Sequence, residues 1–266
     1  MNSKQLPILI LFFLLFFQNT RALTPQQKLF DQYLKNHSWK LVFENNGTDA
    51  QKNWFLDGEQ GIVTYTPDGI ILQAGNTEND NASHVVLWTN QTFSGEIRVE
   101  YDFMRLDTNQ LENNVNILYL HAAGSGKKPY TEQIEEWSEL RKIPAMDIYF
   151  NHMNAFHISY AVNFVPYNRD YIRGRRYVAE TGKGLQGTAL YPEYADTGLF
   201  LPGKKYHITV LLTPDKLYMN VRDADQTKLF YFDIPAEKQL PGGYIGLRQM
   251  WTRRSLYSNF KVYEQK

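Results

Sequence analysis

Asn151–Val178 reads NHMNAFHISYAVNFVPYNRDYIRGRRYV, and its two halves alternate with the period of two that a sheet imposes. In Phe156–Asn163, His157, Ser159 and Asn163 point to one side while Phe156, Ile158, Tyr160 and Val162 point to the other. In Asp170–Val178, Tyr171, Arg173, Arg175 and Tyr177 share a face. Burying two guanidinium groups dry and unpaired is too costly for a fold to carry, so this face calls for an anion. The stretch predicts a sheet and, on one side of it, the floor of a site for an acidic ligand.

The same alternation recurs along the chain. Gly95–Arg105 sets Ile97, Val99, Tyr101 and Phe103 against Glu96, Arg98, Glu100 and Asp102, the pattern of an antiparallel strand with one solvated face. Trp39–Phe43, Val85–Thr89 and Asn114–Ala122 add further strands. Thr66-Pro67-Asp68-Gly69 turns Val63–Tyr65 into Ile70–Gln73. Thr213-Pro214-Asp215-Lys216 joins Lys205–Leu212 to Leu217–Arg222, and Leu229–Ile234 completes a meander. Gly243–Met250 and Leu256–Val262 form the closing pair. Two helices are expected. Leu23–Asn36 is amphipathic, with Thr24-Pro25 as N-cap and first residue, and is expected to cover a sheet edge. Thr131–Arg141 carries Ile134, Trp137 and Leu140 as its packing stripe. With no internal repeat, no alternation of strand and helix and no low-complexity linker, residues 23–266 read as a single all-β domain. Its architecture is a sandwich of two antiparallel sheets with short peripheral helices.

A length of 266 residues suits one sandwich. Aromatic residues at 15%, with 18 Tyr and 5 Trp, exceed the needs of a core, and sugar-binding surfaces are one common use of the surplus. Lys plus Arg equals Asp plus Glu at 28 each, so overall charge favours no partner. No nucleic-acid motif appears, and nucleic acid is not expected as a ligand. Met1–Ala22 reads as a secretory signal: Lys4, the apolar run Leu6–Phe17, then small residues in Thr20-Arg21-Ala22. The run is too short to span a bilayer. The chain has no cysteine, so core burial alone must stabilise it, which suits a bacterial periplasm or medium. The sequons at Asn36, Asn46, Asn81 and Asn90 would matter only in a eukaryote.

The segments MNAFHISYAVN, YIRGRRYV, TGLFLPGKKYHITVLL and GGYIGLRQMWTRRSLYSNFKVY together resemble the YesU-like family of bacterial proteins, within the concanavalin A-like lectin/glucanase class. The resemblance runs over roughly residues 39–264, and GYIGLR…YSNFKV is its most specific part. It implies a jelly-roll sandwich carrying a carbohydrate groove on one sheet. It also implies a role in the use of uronate polysaccharides, pectin-like or ulvan-like, similar to that of periplasmic oligosaccharide dehydratases or lyases of marine bacteria.

Three chemistries compete for the central segment. β-Elimination at a uronate needs a cation on the carboxylate, a base for the C5 proton and an acid for the leaving oxygen. His157, Tyr171 and Tyr160 are the candidate acid–base residues, with His121 as a second base. Arg173, Arg175 and Arg248 are the candidate carboxylate clamp, because the guanidinium fork binds carboxylates bidentately. Asn163, His152 and Trp251 complete the expected binding surface. The product is a 4,5-unsaturated sugar whether the leaving group is a glycosyl oxygen (a lyase) or a free hydroxyl (a dehydratase). A retaining glycosidase would instead need two carboxylates about 5–5.5 Å apart. The acidic run Glu132–Glu139 has helical spacing, Glu96, Glu100 and Asp102 read as an outer face, and Asp147 is isolated. A non-catalytic lectin could stack sugars on Trp137, Trp251, Tyr149 or Tyr167. His152 and His157 lack the spacing of a zinc motif. No cofactor is expected, and a structural calcium on Asp or backbone carbonyls is compatible with the sequence.

Overall fold

The structure is a computed structural model that describes residues 24–45, 48–109, 114–162 and 170–266. The expected signal segment Met1–Ala22, the sequon at Asn46, and Asn163 and Tyr167 of the central stretch lie outside the described residues. Helix α1 (Pro25–Asn36) is followed by β1 (Trp39–Asn45), β2 (Trp54–Asp57), β3 (Ile62–Thr66), β4 (Gly69–Gln73) and β5 (Val85–Thr89). Next come β6 (Phe93–Ser94), β7 (Ile97–Arg105), β8 (Asn116–Gly124), the 3-10 segment Ile134–Arg141 and α2 (Met146–His152). The remaining strands are β9 (Met153–Tyr160), β10 (Tyr171–Tyr177), β11 (Ala189–Ala195), β12 (Lys205–Leu212), β13 (Lys216–Arg222), β14 (Thr227–Asp233), β15 (Gly242–Gln249) and β16 (Arg254–Gln265).

They form two antiparallel sheets. The first runs β14-β13-β12-β7-β16-β4-β3, with β1 also paired to β16. The second runs β11-β10-β9-β8-β15-β5-β2, with β6 paired to β15. The alternation read in Gly95–Arg105 is realised: Ile97, Val99, Tyr101 and Phe103 are all buried. They pack with Ile208, Val210 and Val262 against Leu118, Leu120, Phe156, Ile158, Ile245 and Leu247 of the opposite sheet. Burying each such side chain contributes ~1.5–3 kcal/mol, so this interface is the main source of stability. The sheet pairing of β12, β13 and β14 is the expected meander.

Three expectations are corrected. Thr24 caps α1, its Oγ accepting the Gln27 amide at 3.1 Å, but the helix covers a sheet face: Phe30 packs on Leu211 of β12 and Tyr218 of β13. The closing strands do not pair with each other, because β15 belongs to the second sheet and β16 to the first. Thr131–Arg141 is not a regular helix. Only Ile134–Arg141 coils, as a 3-10 segment kinked at Trp137, and Leu140 is 46% exposed while Ile134 and Trp137 are buried. No described helix is long and apolar enough to cross a membrane.

Candidate binding face on the second sheet

The alternation of β9 and β10 builds one polar surface on the side of the second sheet that faces away from the core. Arg173 lies opposite Ser159 and Arg175 opposite His157, with Tyr119 of β8 next across from His157. His157 is buried, its Nδ1 2.7 Å from the Tyr177 hydroxyl and its Nε2 2.5 Å from Ser159 Oγ. Each hydroxyl can donate or accept, so a neutral ring with one N–H and one lone pair is satisfied on both sides. Burial first, then Arg175 and Arg248, hold the His157 pKa well below the usual imidazole value. Burial likewise keeps the phenols of Tyr171 and Tyr177 protonated by raising their pKa values.

The cations on this face are unequally neutralised. Arg173 Nε lies 3.3 Å from Glu193 of β11, both more than a third exposed, and its guanidinium stacks 4.1 Å over the Tyr171 ring. At that exposure the ion pair is worth little. Arg175 donates to Thr188 Oγ at 3.1 Å and has no carboxylate partner among the described residues. Arg248, on β15, is fully buried; one of its terminal nitrogens donates to His84 Nδ1 at 2.7 Å and to the Pro144 carbonyl at 2.6 Å. Its guanidinium lies beside the Tyr119 hydroxyl and over Tyr149, 4.7 Å from the ring centre.

The half of the face nearer β5 is closed by Ile134–Arg141 and α2. Gly246 makes room there, since a side chain at that position would come within 2.4 Å of Trp88. Trp88, Tyr119 and Tyr149 stack, with Trp88–Tyr119 at 5.3 Å and Tyr119–Tyr149 at 5.9 Å. Asp57 Oδ2 ties the cover down, accepting from Trp88 Nε1 at 2.7 Å, Arg141 Nε at 2.5 Å and the Tyr149 hydroxyl at 3.0 Å. Burial raises the Asp57 pKa even though these three donors pull it down. The reachable half is the β10–β11 end, where Tyr171, Arg173 and Arg175 are partly exposed. Tyr191, which follows the core residue Leu190, is 67% exposed beside them.

The structure therefore brings together His157, Tyr171, Arg173 and Arg175, as the alternation predicts, and sets Arg248 on the same face beneath the cover. Four expectations are corrected. Tyr160 points into the sandwich core and packs on Phe103 and Phe200, because it lies on the opposite parity to His157. His121 sits at a bulge that turns it to the inner side, away from His157. Trp251 is buried and stacked on His84 at 4.5 Å, so it supports Arg248 instead of presenting a sugar platform. His152 stacks on Tyr130 at 3.7 Å and pairs with Glu180 at 2.9 Å, at the end of β9 remote from Ser159. Trp137 and Tyr149 are likewise buried. Arg176, next to Arg175, takes the inner side, donating to the Lys238 carbonyl at 2.8 Å, and burial lowers its pKa to about 10. The sequence reading missed Tyr119, Asp57, Tyr191 and Glu193. The last two lie on a strand whose internal proline masks it. Among the described residues, no group of three or more His, Cys, Asp or Glu could hold a metal ion.

Comparison with solved structures shows a lectin-type jelly-roll sandwich. A Bacillus subtilis protein of unknown function with a galectin-like fold superposes with TM-score 0.60 at 19% identity, covering 86% of this chain and 99% of that one. The exoplasmic/lumenal domain of VIP36, in its Ca2+/Man3GlcNAc-bound form, superposes with TM-score 0.54 at 12% identity, over 85% of this chain and 90% of that one. Arcelin-5, a lectin-like defense protein from Phaseolus vulgaris, gives TM-score 0.54 at 10% identity, over 86% and 98%. No curated protein matches the chain. Residues 40–262 match the family described as a domain of unknown function, DUF1961, and the chain belongs to that family.

Proposed function

We propose that the protein is a carbohydrate-binding protein whose arginine-bearing face holds an acidic glycan, with a uronate as the recognised sugar. The observation that carries this reading is Arg175: a guanidinium set in a sheet face, beside a neutral imidazole, with no carboxylate to neutralise it among the described residues. Arg175 and Arg173 would bind the sugar carboxylate through charge-assisted hydrogen bonds, with the rings of Tyr171 and Tyr191 as apolar platforms. The lectin-type fold supports sugar binding in general. The acidic character of the ligand rests on the arginines alone.

Elimination at the uronate is the second reading, favoured by one contact, the 2.7 Å hydrogen bond between His157 and Tyr177 next to Arg175. A base needs a free lone pair on the substrate side, and both His157 nitrogens face protein hydroxyls. Binding is therefore the primary reading. Export of the mature chain to a periplasm or medium goes with both, on the strength of the Met1–Ala22 pattern.

One experiment separates the two readings. Uronate oligosaccharides of pectin-like and ulvan-like composition are titrated into the protein by calorimetry, and the recovered sugars are examined by ultraviolet absorbance and mass spectrometry. Binding with unchanged sugars supports the lectin. A new C4–C5 double bond supports elimination, and loss of water without chain shortening identifies a dehydratase. Absence of binding to every uronate tested refutes both.

A further inference from the structure

A cleft of about 560 Å3 opens at the end of the sandwich between Ser94–Glu96, the Leu212–Pro214 turn and the Gln239–Pro241 connection. His121 lines it, on the opposite side of the sheet from His157. The strand bulges here to present the ring: β8 shifts register against β9 between Leu120 and Ala123, and against β15 between Tyr244 and Gly246. His121 itself adopts φ 50°, the left-handed region that a residue with a side chain rarely occupies. Gly243, with φ 152°, lets the neighbouring strand pass, since a side chain there would meet the His121 and Ala122 backbones at 2.5 Å. Strain of this kind concentrates where a side chain must be aimed.

The His121 ring is 1% exposed, and neither of its nitrogens has a hydrogen-bond partner among the described residues. The Leu240 carbonyl approaches it outside hydrogen-bond geometry. Burial lowers its pKa to about 4, so at neutral pH it offers one N–H and one lone pair. Two unmet groups in a buried position are unfavourable and call for a partner. The rest of the lining narrows the chemistry. Glu96 and Glu264 outnumber Lys266 on the lining and disfavour an anion. An alkylammonium would suit the carboxylates and the lone pair, but it has no acceptor for the ring N–H. A hydroxyl-rich sugar can turn one hydroxyl to accept from the ring N–H and another to donate to the lone pair. Phe156, Leu212 and Leu240 supply an apolar wall for the C–H face of a sugar ring.

We propose that this cleft is a second saccharide site, separate from the arginine face, that takes an uncharged, hydroxyl-rich sugar through His121. It does not depend on the reading of the arginine face.

The test titrates the whole protein with uncharged methyl glycosides and disaccharides, with butylammonium and glucuronate as comparators, while the histidine ring 15N signals are followed by NMR. The expected result is that at least one uncharged sugar binds and moves the His121 ring signals, and that butylammonium and glucuronate do not. His121→Phe should then weaken that sugar by roughly tenfold or more, and Arg175→Ala should leave its affinity unchanged. The ring signals in the unaltered protein give the answer even if the His121 variant fails to fold. Static ring signals with every uncharged sugar overturn the proposal. So does a sugar affinity that Arg175→Ala abolishes, or a ring shift produced by butylammonium.

Discussion

Acidifying the protein from pH 7 to pH 5 acts on three buried imidazoles. Burial lowers the pKa of His84 to about 3, with Arg248 adding to the effect, and that of His121 to about 4. His157 is held well below the usual value by burial, Arg175 and Arg248. In the unfolded chain all three return to an ordinary imidazole value near 6.5. Between the folded and unfolded values the unfolded chain binds more protons, so stability is present above pH 6.5 and is lost as pH falls below it. The slope is ~1.4 kcal/mol per pH unit for each group. By pH 5 that amounts to ~2 kcal/mol each for His84 and His121, ~4 kcal/mol together, with His157 acting in the same direction. A folded protein has only ~5–15 kcal/mol to lose, and for a chain of this size the melting temperature should fall by ~10–20 °C. Asp57 opposes this trend, because burial raises its pKa and protonation relieves it as pH falls. Asp102 and Asp223 have lowered values, and their contributions are lost only at more acidic pH. Differential scanning calorimetry at pH 7, 6 and 5 reads the effect. His121→Phe should remove ~2 kcal/mol of this pH dependence. A pH dependence from pH 7 to pH 5 that is the same in the unaltered protein and in His121→Phe would refute the reasoning, because His121 would then not be held neutral by the fold.

Three further outcomes follow from named contacts. Arg141→Leu leaves Asp57 buried without its cation, so chemical denaturation should show a loss of ~3–5 kcal/mol, while Arg141→Leu combined with Asp57→Leu should lose less. Thr24→Ala removes the cap of α1 and should lower stability by ~1 kcal/mol in the same assay. Tyr160→Phe deletes a core hydroxyl that sits beside the hydroxyls of Tyr101 and Tyr257, so stability should fall by ~0.5–1.5 kcal/mol. Glycan affinity by calorimetry should be unaltered in that variant, and a loss of binding would return Tyr160 to the site.

The strands were legible because burial on one face writes a period of two into the sequence. Val85–Thr89 and Lys205–Leu212 were read with their observed limits, and the outward set Tyr171, Arg173, Arg175 and Tyr177 was read correctly from parity. Parity also places Tyr160 opposite His157, on the core side of β9. Three features carry no such signal. The bulge at His121 reverses parity through the pairing of β8 with two neighbours, which depends on contacts distant in sequence. β2 is four residues long, too short to show a period, and β11 contains Pro192. The kink at Trp137 follows from packing: its ring lies against the Arg141 guanidinium at 4.1 Å, and Arg141 is held by Asp57, far away in the chain. That cover makes Arg248 inaccessible and confines the open part of the face to its β10–β11 end.

The most direct test of the arginine face is a calorimetric comparison of the unaltered protein and Arg175→Ala, each titrated with the same uronate oligosaccharide at low salt. Loss of the guanidinium–carboxylate contact should weaken binding by ~10- to 100-fold, corresponding to ~1.5–3 kcal/mol, with melting temperature and far-ultraviolet circular dichroism unchanged. Equal affinity in the two proteins would contradict the account, because the acidic sugar would then be held somewhere other than the face that Arg175 leaves positively charged.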